Sequence, residues 1–316
     1  MSTGTIWNLP NYSGELFTAD PTQTPFLSMI GGLTGGMTTN AFEFTTGQLY
    51  SHPAAAQPEI SENASTTAPA ASHIARDQTT NVVQIHQETI DLTYVKLSNS
   101  GQMSGINVAG QQANPQNEKT WQLMQKIVKI ARDVEHSFIS GEFQRATNAG
   151  VANKTRGMIE LTEESGTNVD AAGAALSKAM LNELFKGMAD GGAMFQNPVM
   201  FVSAGHKQAV TEIYNLVVGF SLPASRNVGG LDIQEIEFDF GKLGIVWNRF
   251  MPNDAVLIAD VAFCAPVFQE VPGKGVFFTE PLAKVGAADR EQIYGQIGLD
   301  HGPGFMHGSI TGLQPA

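Results

Sequence analysis

Charge is scarce in this chain. Only 15% of its 316 residues are Asp, Glu, Lys or Arg, well below the share in an ordinary globular protein. A soluble chain with so few charges and as many as 33 glycines reads as one that commits much of its surface to contacts with other chains. The formal net charge of −12 argues against a dedicated nucleic-acid binder, whose footprint is basic. From Met1 to Val95 there is no lysine, and Arg76 is the only basic residue. Cysteine is reduced to Cys264, inside the apolar run VAFCAPVF. No internal disulfide is available, and burial accounts for a thiol there better than catalysis does. No apolar run approaches the length of about 18 residues that spans a membrane. TIWNLPNYSGELF, near the start, lacks the basic start and apolar stretch of a signal peptide.

Catalytic constellations are missing too. There is no Gly-x-Ser-x-Gly elbow. GGLTGG, ending at Gly36, is not followed by Gly-Lys-Ser/Thr, and PGKG at Pro272 to Gly275 lacks the rest of a phosphate loop. His301 and His307 stand six apart without a third ligand of suitable spacing, and His73 and His86 show no metal-ligand spacing. Glu160, Glu163 and Glu164 form the one dense carboxylate cluster and read as solvated surface. No catalytic, cofactor-binding or metal-ligating residue is assigned, and no cofactor is expected.

What is present begins with a helix between Asn114 and Gly141. Asn114 is a capping residue, Pro115 suits the first helical position, and Glu118 places a negative charge in the first turn. Trp121, Met124, Ile127, Val128, Ala131, Val134 and Phe138 recur at three- and four-residue steps, which predicts one apolar face. Lys126, Lys129 and Arg132 form a basic stripe that could meet acidic segments of another subunit. Gly141 stops the helix.

Before this helix the chain is loop- and strand-like. Met1 to about Thr39 reads as an arm broken by Pro10, Pro21 and Pro25. Its cluster Phe26, Leu27, Met29 and Ile30 is too short to fold alone and must dock on its own body or on a neighbour. Asn40 to Leu97 reads as a long hairpin, with an outgoing strand through Phe42, Phe44 and Leu49 and a return from Asn81. In the return strand the apolar positions change phase, which predicts a bulge near Gln87 to Thr89. The connection SHPAAAQPEISENASTTAPAASHIARD is rich in Ala, Pro, Ser and Thr and cannot build a core. After the helix, Glu142 to Gly173 reads as weakly structured. Helices are predicted over Leu176 to Ala189 and His206 to Val217, and strands over Val199 to Val202, Val256 to Asp260, Pro266 to Gln269, Val276 to Leu282, Asp289 to Leu299 and His307 to Leu313. A hairpin is predicted around Gly241-Lys242, and the loop Gly219 to Gly230 carries Arg226.

Three stretches, in order, carry a resemblance: TPFLSMIGG with AFEFTTGQL; NVVQIHQETIDLTYVKLSNSG leading to ARDVEHSFISG; and PLAKVGAADREQIYGQIGLDHGPGFMHGSITGL. Together they resemble the major head proteins of tailed bacteriophages, in particular the small family that includes the head protein of phage SU-ten. That family has a TPF arm, an aromatic-Glu-aromatic strand and a long helix with Arg-Asp-x-Glu, here Arg132, Asp133 and Glu135. It ends in LAK-x-G and I-x-GL. The chain departs where Phe44 stands in place of the commoner Trp and where Ala287 stands in place of Asp.

The resemblance implies an α+β, Hong Kong 97-type capsid fold. Its parts would be an N-terminal arm (1–39), an extended β-hairpin loop (40–97), a peripheral domain (98–175 and 270–316) with a spine helix over 115–140, and an axial domain (176–269). It further implies a non-enzymatic major capsid protein that self-assembles, in pentamers and hexamers, into the icosahedral head of a tailed phage. The shell would enclose double-stranded DNA without sequence specificity. Portal, scaffolding and decoration proteins would be its other partners, the virion its location, the bacterial cytoplasm its place of assembly, and no membrane is involved. Inter-subunit contacts are expected at Phe26, Leu27, Phe42, Phe44, Arg76, Lys126, Lys129, Arg132 and Arg226. The arm motif starts at Thr24, so no long propeptide is expected ahead of it, and arm and loop are expected to order only on assembly. The alternatives are an encapsulin-type compartment shell, of the same fold with a cargo enzyme inside, and a mixed α/β hydrolase.

Some capsids of this fold are locked by lysine–asparagine bonds from the extended loop. With no lysine before Lys96 and a single cysteine, neither that bond nor a disulfide network is available here. Mature particles boiled without reductant should run as one band near the 33.7 kDa monomer. A ladder that survives boiling and reductant would show another covalent lock.

Overall fold

A computed structural model of the protein describes residues 18–20, 22–94, 118–215, 225–228, 231–284 and 286–315. The arm before Thr18, the Asn114 cap, Pro115, Lys96 and most of the Gly219 to Gly230 loop lie outside the described residues. The long helix, α3 (Glu118–Ser140), follows a shorter arm helix, α1 (Pro25–Ile30), and precedes α4 (Met158–Glu164), α5 (Lys178–Asp190) and α6 (Ala204–Asn215). One further helical turn, α2 (Glu62–Ser65), lies between α1 and α3.

Two sheets carry these helices. The first is built on β13 (Ala288–Asp300), whose 13 residues have β4 (Gln84–Thr93) along one side. Along its other side run β12 (Phe277–Pro281) and β11 (Ala265–Gln269). Parallel to β11 lies β1 (Met37–Thr39). The second sheet has seven strands. They are, in spatial order, β5 (Thr167–Asp170), β14 (Gly308–Thr311), β10 (Val256–Asp260), β6 (Pro198–Val202), β9 (Gly241–Trp247), β8 (Leu231–Phe238) and β7 (Ser225–Val228). A separate pair, β2 (Glu43–Tyr50) with β3 (Arg76–Val82), forms the stalk of the hairpin.

The centre of the seven-stranded sheet is covered on both faces, and its sequence shows why. PVMFV and VLIAD are almost continuously apolar, as strands buried on both sides must be. Successive side chains point to opposite faces. Val199, Phe201, Leu257 and Ala259 therefore join a core with α1, α3 and α4. Met200, Val202, Val256 and Ile258 join a second core with α5 and α6.

Several expectations need correction. Helix α3 buries Ile130, Val134, Phe138 and Ile139, whereas Met124 and Ile127 are 48% and 41% exposed, so the apolar face is rotated from the one expected. Gly141 follows α3 but is not left-handed. A Cβ there would lie 2.2 Å from the Ser137 carbonyl oxygen, and the Gly157 amide donates to the Gly141 carbonyl at 2.8 Å, so close backbone contact is what requires glycine. β4 pairs with β13 without a break from Gln84 opposite Ile297 to Thr93 opposite Ala288, so no bulge occurs at Gln87 to Thr89. The phase change falls instead at Val82–Val83, where both side chains are buried. The hairpin turn precedes Gly241 rather than centring on it. Glu142 to Gly173 holds α4 and β5, whose short length left little periodicity to read. The sheets also cut across the expected division: β11 joins the strands of 270–316, while β5 and β14 join those of 176–269.

The arm differs most. Phe26 and Leu27 are 0% and 2% exposed within the single chain, so these two residues, expected at a neighbour, dock on their own body. Residues 51–75 behave otherwise: every one is exposed, including the turn α2.

Candidate functional site

Two polar joints tie the outlying segments to the body. The first centres on Glu135, which is fully buried on α3. Helix α1 starts at Pro25, which has no N–H, and Thr24 makes no side-chain cap. The next amides are left without intrahelical acceptors. Glu135 supplies them: its Oε1 accepts from the Phe26 N–H at 2.9 Å and its Oε2 from the Leu27 N–H at 2.7 Å. Asn248 Nδ2, from the segment after β9, donates to the same Oε1 at 2.6 Å. Asn248 is itself fixed, since its Oδ1 accepts the Phe250 N–H at 2.9 Å and its own N–H donates to the Val202 carbonyl. Apolar packing seals the joint. The Phe26 ring meets Phe138 and Phe201 edge to face, at centroid distances of 6.5 Å and 5.3 Å.

Burial pushes the Glu135 carboxyl up from its ordinary 4.5 to about 7, against the pull of the Leu27 and Phe26 N–H groups and of Asn248. Arg132 and Asp133, neighbours in the same motif, are half-buried and exposed.

The second joint is Asn81, fully buried where β3 passes into β4. Its Nδ2 donates to the Leu299 and Arg156 carbonyls at 2.8 Å and 3.4 Å, and its Oδ1 accepts the Arg156 and Val82 N–H groups at 2.8 Å and 2.9 Å. An amide with two donor hydrogens and two acceptor lone pairs is thereby fully used. Beside it, Phe44 is half-buried against Gly298, where a Cβ would come within 2.8 Å of the ring. Phe42 is 44% exposed, with the Arg145 guanidinium 5.9 Å from its ring centroid. Arg145 also pairs with Glu43 at 2.8 Å.

The basic stripe of α3 finds partners within its own chain. Lys126 contacts Glu88 of β4 at 2.7 Å, and Lys129 contacts the same carboxylate. Burial raises the Glu88 pKa, but the hydrogen bonds and charges of the two lysines together hold it below its ordinary value. Such partly exposed pairs contribute about 0–1 kcal/mol each. Within the single chain, then, Lys126 and Lys129 already have a partner in Glu88. Arg76 is exposed at the start of β3. Arg226 lies in β7 opposite Ile233, and its side chain lies outside the described residues.

The other titratable clusters have structural roles. His307 is buried, with Nδ1 accepting the Asp260 N–H at 3.1 Å, so its Nε2 donates to the His301 carbonyl at 2.7 Å. Burial lowers both His301 and His307 to about 4, leaving them neutral. Burial likewise pushes the Cys264 thiol up, away from reactivity. Glu160 accepts the Phe143 N–H, and Glu164 pairs with Arg156. Among the described residues no group of His, Cys, Asp and Glu is arranged to hold a metal ion, and no helix is long and apolar enough to cross a membrane.

An arm pinned beneath a long helix, two sheets and a projecting hairpin define a shell-forming capsid architecture, and comparison with known proteins agrees. The family model for the SU10 major capsid protein matches residues 1–314, and the chain belongs to that family of capsid proteins. The fold is similar to that of the cyanophage A-1(L) capsid protein, with a TM-score of 0.63 at 10% identity over 97% of each chain. It is also similar to the capsid of the myovirus phage XM1, with a TM-score of 0.59 at 12% identity over 96% of this chain and 97% of that one. The holo-SrpI encapsulin of Synechococcus elongatus shares the fold as well, with a TM-score of 0.57 at 10% identity, covering 97% of this chain and 92% of that one. No curated protein matches the sequence. The chain is a phage capsid protein of Hong Kong 97 type, it associates with copies of itself, and its place is the virion.

The Glu135 joint makes a signed prediction. A carboxyl whose folded pKa of about 7 exceeds its ordinary 4.5 contributes stability that is fully present below that ordinary value and lost as pH rises through about 7. Glutamine never ionises, and because its NH2 group cannot accept an N–H as a carboxyl oxygen does, it shifts the baseline by an amount that does not depend on pH. Between about pH 5 and pH 8 the stability of Glu135→Gln relative to wild type should therefore rise by up to about 3 kcal/mol, as read by denaturant unfolding. A gap between the two proteins that does not change with pH would contradict this assignment.

Proposed function

We propose that this chain is the major subunit of an icosahedral tailed-phage head, assembled from pentamers and hexamers in the bacterial cytoplasm and filled with double-stranded DNA. The role is structural and not catalytic. Scaffolding, portal and decoration proteins are its further partners, and the acidic net charge limits adhesion of packaged DNA to the wall. In this reading the seven-stranded sheet with α5 and α6 is the axial domain, and the β13 sheet with α3 is the peripheral domain.

One observation carries the reading. Residues 51–75 project from a stalk that Asn81 anchors, yet all of them are exposed, Ile60 and Ile74 at 69% and 50% included. A segment this long with no core of its own draws its order from a partner. The partner proposed is the next copy of the chain. Phe42, Phe44 and Arg76, on the stalk, are the contacts retained from the sequence.

Replacing residues 53–73 by a short Gly-Ser turn tests this. The shortened subunit should keep its melting temperature within about 2–4 °C of wild type while failing to form closed shells under conditions where wild type does, judged by electron microscopy. Shells of normal size and stability from the shortened chain would overturn the proposal. Particles holding a cargo protein and no DNA would favour an encapsulin-type compartment.

A further inference from the structure

The finger, residues 51–75, carries recognition features of its own. Its only carboxylates are Glu59 and Glu62, and it has no lysine or arginine. The two carboxylates flank Ile60, which is 69% exposed. The turn α2 fixes this cluster, since the Ser61 hydroxyl accepts the Ala64 N–H at 3.2 Å. Glu59, Ile60 and Glu62 are therefore presented on a preformed corner, which lowers the ordering cost of binding. Such a corner calls for a concave surface with an apolar floor and an excess of positive charge.

Helix α6 and the end of β9 form such a surface. His206, Val210 and Tyr214 turn to the core, whereas Ala204, Gln208, Thr211 and Glu212 are exposed. With Lys207 and Trp247 these residues line a groove of about 600 Å³, a size at which clefts hold ligands. The Trp247 ring is 41% exposed, and the Arg249 guanidinium lies 5.0 Å from its centroid. Lys207 forms no ion pair among the described residues, so the groove sets two cations against the single carboxylate Glu212. The finger of the same chain does not fill it, because every residue from 51 to 75 is exposed.

We propose that the finger of a second copy of the chain seats Ile60 against the Trp247 ring in this groove, with Glu59 and Glu62 facing Lys207 and Arg249. The inference rests on the reading of the finger as a contact to the next copy, and it names the surface that receives it. Burial of the isoleucine against the indole supplies the apolar part of the contact. The opposite charges orient the corner and select it over a basic segment. Arg249 also ties the groove to the arm: its Nη1 donates to the Ala19 carbonyl at 3.3 Å. Asn248, next to it, meets the carboxylate that holds α1. The incoming finger thus lies beside the residues that hold the receiving subunit's arm.

Paired cysteines in assembled shells test it. Ile60→Cys is combined with Gln208→Cys and, separately, with Thr211→Cys, and the native Cys264 is kept because it is buried. Boiled without reductant, shells of at least one pair should give a ladder of linked multimers that reductant abolishes, because a disulfide forms only between closely approaching residues. Each single substitution should run as the monomer. Closed shells with no ladder from either pair would overturn the inference and leave the shell reading standing. A link confined to one chain, seen as a monomer of altered mobility, would also overturn it. Wild type that forms no shells would take down the reading and the inference together. Wild-type shells give a second readout that needs no substitution: the Lys207 amine should lose the reactivity toward acetic anhydride that it shows in unassembled subunits. Reactivity unchanged on assembly would overturn the inference.

Discussion

One buried carboxylate holds three parts of this protein together. Glu135 sits on α3, accepts two amides from α1 and one side-chain amide from the segment after β9. Taking a carboxylate out of water costs several kcal/mol unless hydrogen bonds replace the lost solvation. Here three donors converge on it. The cost and its compensation make the geometry specific. Leave the carboxylate out, and two buried N–H groups and the Asn248 amide lose their partner together, along with the reason for Phe26 to enter the space between Phe138 and Phe201.

The consequences spread through the fold. Phe201 belongs to a strand whose alternate residues face the second core, so the position of α1 is coupled through β6 to the packing of α5 and α6. The hairpin is held by a different device, the Asn81 amide, which joins its stalk to β13 without drawing on the apolar core. The protein thus has one arm fixed from within and one finger, residues 51–75, with its surface still to be covered. That asymmetry suits a subunit folded before it meets its neighbours.

Much of the architecture was legible in the sequence because it is written in periodicity. The existence and C-terminal end of α3, the buried strands PVMFV and VLIAD and the coreless finger follow from runs of apolar or small residues. The joints were not legible. Glu135 stood in the sequence only as part of a motif, more than a hundred positions from the amides it caps, and no local pattern links them. Nothing local signalled the need, because Thr24 is a residue type that ordinarily caps a helix and only the structure shows that its side chain does not. The partner of the lysine stripe within the chain was hidden for a related reason. Helical spacing places Lys126 and Lys129 on a face but does not say that Glu88 lies opposite.

The central claim is that Glu135 holds the arm to its own subunit. Hydrogen exchange on unassembled wild-type and Glu135→Ala subunits tests it most directly. The account predicts that wild type protects the amides of Phe26 to Ile30, and that the substitution removes this protection by about a hundredfold or more while β6 and β10 stay protected. Undiminished protection of that segment in Glu135→Ala would contradict it.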